Sequence, residues 1–115
     1  MPHTTLLAKG NPADVDEIHS ELVQLDVSAY RTIRFSVGNW VNSPSSVTIA
    51  ISHVDQPNTP NANLISGIDS FPLAPGESAS KVYDVPGEVV TFMAVPSQPA
   101  ATGIKIDFTI YGRRK

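Results

Sequence analysis

The sequence predicts a single all-β domain: an antiparallel β-sandwich of jelly-roll type, with seven or eight strands and an N-terminal arm. Three observations carry that expectation. Apolar and polar residues alternate with period two along most of the chain. Turn clusters separate these runs at spacings of about ten residues. The ten prolines and seven glycines sit almost entirely in those clusters. At 115 residues, 41% apolar and without cysteine, the chain is long enough to bury a core without disulfides.

Residues 1–13 are polar, contain proline and offer little core material. They are expected to form an arm ahead of a sandwich over 14–115, with Leu6 and Leu7 as its apolar anchors. Residues 14–22, "DVDEIHSEL", show helical spacing at Val15, Ile18 and Leu22, and Asp14 with Glu17 has the spacing of a capping box. Strand-like neighbours favour a loop there over a helical turn. "ELVQLDV" alternates through Val23, Leu25 and Val27. "TIRFSVG" places Ile33, Phe35 and Val37 on one face, and "VTIAISH" does the same with Val47, Ile49 and Ile51. Weaker strands are expected over 64–72 and 78–84. "VVTFMAV", residues 89–95, is apolar on both faces and reads as a central strand or one covered by another chain. "GIKIDFTIYG" alternates Ile104, Ile106, Phe108 and Ile110 with polar residues.

The tripeptide Pro-Gly-Glu occurs twice, at 75–77 and 86–88. Proline suits position i+1 of a type II turn and glycine the positive φ at i+2. The repeat therefore reads as punctuation around the 78–84 strand and not as a paired site.

Net charge is −3, and three of the eight basic residues are the last three, Arg113, Arg114 and Lys115. An acidic body with a short basic tail has no electrostatic footprint for nucleic acid. The tail could instead pair with Asp14, Asp16 and Glu17 of a neighbouring subunit. Those three carboxylates lack the glycine and closing glutamate of a calcium loop and read as a solvated turn. His3, His19 and His53 are scattered, with no metal-binding spacing. No serine lies in a nucleophile elbow, and there is no phosphate-binding glycine loop. The expectation is a non-enzyme without cofactor or metal. No run approaches the ~18 apolar residues of a membrane span. The first residues lack a signal-peptide pattern, so synthesis in the cytoplasm is expected. Trp40, near a strand end, is either a lid on the core edge or a stacking platform for a ligand.

The strings "LDVSAYRTIRFSVGN", "SVTIAISHVD", "DSFPLAPGESASKVYDVPG" and "IKIDFTIYGRR" resemble the small jelly-roll subunits of endospore appendages and related surface fibres of spore-forming bacteria. The resemblance spans residues 22–114. It implies a self-assembling subunit whose N-terminal extension docks on the next copy. Those subunits carry cross-linking cysteines, and this chain has none. The leading expectation is a structural protein that polymerises with copies of itself, at a spore surface or in a virion. The alternatives are a carbohydrate- or ligand-binding module using Trp40 and the 55–63 loop, and a phage virion accessory protein.

Overall fold

Period-two runs become strands because only an extended backbone sends alternate side chains to one face. The computed structural model describes residues 4–16, 20–54, 65–84, 89–98 and 102–115. It contains eight strands: β1 (Thr4–Val15), β2 (Glu21–Asp26), β3 (Tyr30–Asn39), β4 (Val47–Val54), β5 (Ile65–Leu73), β6 (Ser78–Asp84), β7 (Val89–Pro96) and β8 (Ile104–Arg114). Seven lie where alternation predicts them.

Pairing is nested. β1 pairs with β8, β2 with β7, β3 with β6 and β4 with β5, all antiparallel. The chain is thus one long hairpin, with β4–β5 at its tip, wrapped over itself. Two further pairings, β3–β8 and β4–β7, complete two four-stranded sheets. Sheet A runs β1-β8-β3-β6 and sheet B runs β2-β7-β4-β5. This order is that of a jelly roll, the class of sandwich expected from the sequence.

The inner faces meet in one core. Ile33, Phe35, Val37, Val47, Ile49, Ile51, Ile104, Ile106, Phe108 and Ile110 are all no more than 5% exposed. Phe35 of sheet A packs on Phe92 of sheet B with ring centroids 4.9 Å apart, and on Phe108 at 6.5 Å. The strand expected to be central, β7, lies between β2 and β4.

The division expected at residue 13 falls inside β1. Residues 4–13 are not a separate segment here: they pair with β8 of the same chain. Their strand character was hidden because register shifts between Leu6 and Ala8, and between Gly10 and Ala13, break period two. Leu7 packs inward beside Gly112, where an added Cβ would lie 2.9 Å from the Leu7 side chain and 2.6 Å from Tyr30.

The Pro75-Gly76 turn forms as predicted. Gly76 has φ of 86°, and Glu77 N–H donates to Ala74 O at 2.9 Å. The Glu77 carboxylate folds back to accept from Ala74 N–H, so it is a turn residue. The second copy, Pro86-Gly87-Glu88, lies outside the described residues.

Asn39 ties two connections, β3–β4 and β5–β6, to the end of β3. Its backbone N–H donates to Glu77 O and its carbonyl accepts from Gly76 N–H. Its buried side-chain amide donates to Ser45 O and Leu73 O, each at 3.1 Å. Replacing Asn39 with alanine strands two buried carbonyls and is expected to cost about 2 kcal/mol. Asn39→Asp is expected to cost more, because a carboxylate would face two carbonyl oxygens. Urea denaturation followed through Trp40 fluorescence measures both, and a loss below a few tenths of a kcal/mol would show that Asn39 does not hold these loops.

Candidate functional site

A sandwich of two open sheets has four edge strands, each with unpaired main-chain groups along one side. β1, β2, β5 and β6 each have one partner. Three of these edges are interrupted. β1 has two register shifts and Pro12. β2 is six residues long, has a shift between Glu21 and Val23, and carries acid at both ends. β5 has a register shift opposite Ile51 and Ser52 and contains Pro72. β6 alone keeps unbroken register with its partner, from Thr32↔Asp84 to Gly38↔Ser78, and contains no proline. It is the edge best able to accept another strand.

A polar clasp holds β6 against β5 of the opposite sheet. Tyr83 Oη donates to Asp69 Oδ2 at 2.7 Å, and Lys81 Nζ reaches the same oxygen at 3.3 Å. Ser70 N–H donates to Asp69 Oδ1, and Lys81 lies 4.1 Å from the centre of the Phe71 ring. Lysine on an edge strand often repels incoming strands. Here the Lys81 ammonium reaches across to the Asp69 carboxylate of the opposite sheet. The Tyr83 hydroxyl, helped by Ser70 and Lys81, holds the Asp69 carboxyl below the usual carboxylate range against the opposing effect of burial. Burial, then the adjacent carboxylate, pushes the Tyr83 phenol up.

The structure separates the residues singled out from the sequence. Leu7 is part of the core margin, whereas Leu6 is 45% exposed on the outer face of sheet A. Asp14 pairs with Lys105 of its own chain at 2.7 Å. Arg113 lies opposite Thr4 at the far end of the same ladder. From position 105 to 113 is about 27 Å of strand, so Asp14 and Arg113 do not meet within one chain. Arg114 and Lys115 are exposed, and Asp16 follows the end of β1. Trp40 is half-buried. Its main-chain N–H donates to Lys105 O, and it borders a depression of about 160 Å³ with Asn42, Ser43, Gly103 and Lys105. Glu17, His3, His19 and the 55–63 loop lie outside the described residues.

Among the described residues, no group of three or more His, Asp or Glu side chains gathers in a metal-binding arrangement. Nor is any helix long and apolar enough to cross a membrane. The Asp69–Tyr83–Lys81 clasp was not foreseen. Its members lie in two weakly patterned strands, and only the stacking of the sheets joins them. No protein-family model matches the chain, and no curated protein matches it.

The clasp has a pH signature. Asp69 has a folded-state pKa below its ordinary 3.8, so its contribution is complete above that value and is lost as pH falls through the lowered one. In that window the unfolded chain takes up a proton that the folded chain does not. Asp69→Asn is expected to be less stable than the wild type at pH 6, with the gap closing below pH 3.8. Denaturation at a series of pH values measures the difference, and a gap that stays constant into acid would rule out the clasp.

Proposed function

We propose that this chain is a non-enzymatic structural subunit that polymerises with copies of itself into a fibre or surface layer. Assembly uses strand addition at an open sheet edge and exchange of the N-terminal strand. The observation that carries the reading is the β6 edge, straight and proline-free where the other three edges are interrupted. Main-chain groups on such an edge gain hydrogen bonds from an incoming strand, as in β-augmentation.

The N-terminal strand supports the same reading. β1 is an edge strand, and its ladder with β8 contains two bulges. A copy of β1 from a neighbour would make the same contacts with β8, with Leu7 against Gly112 and Tyr30 as the anchor. The charged groups suit head-to-tail growth. Basic Arg113, Arg114 and Lys115 lie at one end of the β1–β8 ladder, and acidic Asp14 and Asp16 at the other. A heterologous contact of that kind generates rings or open helices. The resemblance to endospore-appendage subunits points the same way. Without cysteine, such a polymer is held by main-chain pairing and packing alone.

Negative-stain electron microscopy with light scattering tests the proposal. The wild type is expected to form regular polymers. Ser78→Lys with Ser80→Lys, which places two charges along β6, is expected to leave a folded monomer. Removal of residues 1–13 is expected to reduce polymer mass at least severalfold. A wild type that stays monomeric at every concentration and salt, or a lysine variant that polymerises normally, refutes strand addition at β6.

A further inference from the structure

The outer face of sheet A carries chemistry beyond the open β6 edge. Arg34 on β3 is in register with Tyr111 on β8, and Arg113 is in register with Thr32. The two arginines are therefore diagonal neighbours on one face, separated by about 7–8 Å at Cα. The Arg34 guanidinium stacks over the Tyr111 ring, 5.0 Å from its centre. Neither arginine has a carboxylate partner among the described residues, although Asp84 lies opposite Thr32 at the rim. With Thr4, Thr32 and Val82 they line a groove of about 220 Å³. Val82 is 64% exposed there, one of four exposed large hydrophobic side chains among the described residues.

A second groove, of about 490 Å³, lies further along the same strands. Short hydroxyl side chains line it: Ser36, Ser78, Ser80 and Thr109. Asp107 also lines it, its Oδ1 buried without a hydrogen-bond partner among the described residues. Gly38 leaves the groove open. Successive outward rows are about 7 Å apart along a strand, so the two grooves form one track.

We infer that this face binds an acidic oligosaccharide, with Arg34 and Arg113 holding the carboxylate of a uronic acid residue. Guanidinium groups pair with planar carboxylates through forked hydrogen bonds, and stacking on Tyr111 pre-orders one of them. Val82 and the edge of the Tyr111 ring fit the C–H face of a sugar. The serine and threonine hydroxyls both donate to and accept from the hydroxyls of the next residue, and the Asp107 carboxylate accepts. An acidic peptide would satisfy the arginines but leave that hydroxyl track unused. Strand addition at β6 would continue the sheet without covering this face; Arg113 is shared with the basic end of the β1–β8 ladder, but the inference does not rest on the assembly reading.

Calorimetric titration of the full chain with trigalacturonate tests it, beside galactotriose, inorganic phosphate and hexaglutamate. Trigalacturonate is expected to bind most tightly, and more weakly as salt rises. Arg34→Gln and Arg113→Gln, both at exposed positions, are each expected to lower affinity about tenfold or more, with circular dichroism and melting unchanged. Absence of trigalacturonate binding overturns the inference. So does equal binding of the neutral trisaccharide, equal or tighter binding of phosphate or hexaglutamate, or an affinity that neither arginine variant alters.

Discussion

The contact of Phe35 with Phe92 across the two sheets is the interaction on which the rest of the structure depends. Burying two such rings, with the isoleucines and valines around them, supplies the main drive for the sheets to meet. It also sets register. Sliding one strand by a single residue would turn its whole apolar set outward. The central strands β3, β8, β4 and β7 all carry that constraint. Edge strands carry less of it, so irregularity gathers in β1, β2 and β5.

Nested pairing follows from the same burial. Each strand finds its partner progressively further away in sequence, out from the β4–β5 hairpin to β1–β8. Such long-range ladders need the open margins of the sandwich to be closed. Asn39 does this at one end, joining the β3–β4 and β5–β6 connections with main-chain and side-chain bonds. Ser43 closes nearby, its hydroxyl exchanging hydrogen bonds with the main chain of Lys105. Asp69, Tyr83 and Lys81 close the β5–β6 side with a polar contact that reaches from one sheet to the other. These contacts leave the outer faces and the β6 edge unconstrained, and both proposals are placed there.

Legibility in the sequence followed burial. The ten inward residues of β3, β4 and β8 were identified from alternation alone, because each strand has one buried face and one wet one. The Pro75-Gly76 turn was legible because only glycine takes its positive φ without strain. β1 was not legible. Leu6 points outward, but the bulge after it turns both Leu7 and Ala8 inward, so no period-two signal survives. The candidate sites were less legible still. Arg34 and Arg113 are far apart in the chain, and nothing at either position announces the other.

The sequence by itself determined the class of fold, the inward faces, the main turns and the lack of thiol chemistry. Those are local properties: alternation, backbone preference and composition act over a few residues. Tertiary structure alone decided which strands became neighbours, which edge kept unbroken register, that residues 4–15 complete sheet A, and that two arginines with no carboxylate partner among the described residues share a groove. Strand pairing is the physical reason. Period two specifies which face a side chain takes, but the strand beside it is chosen by the burial of the whole inner surface at once.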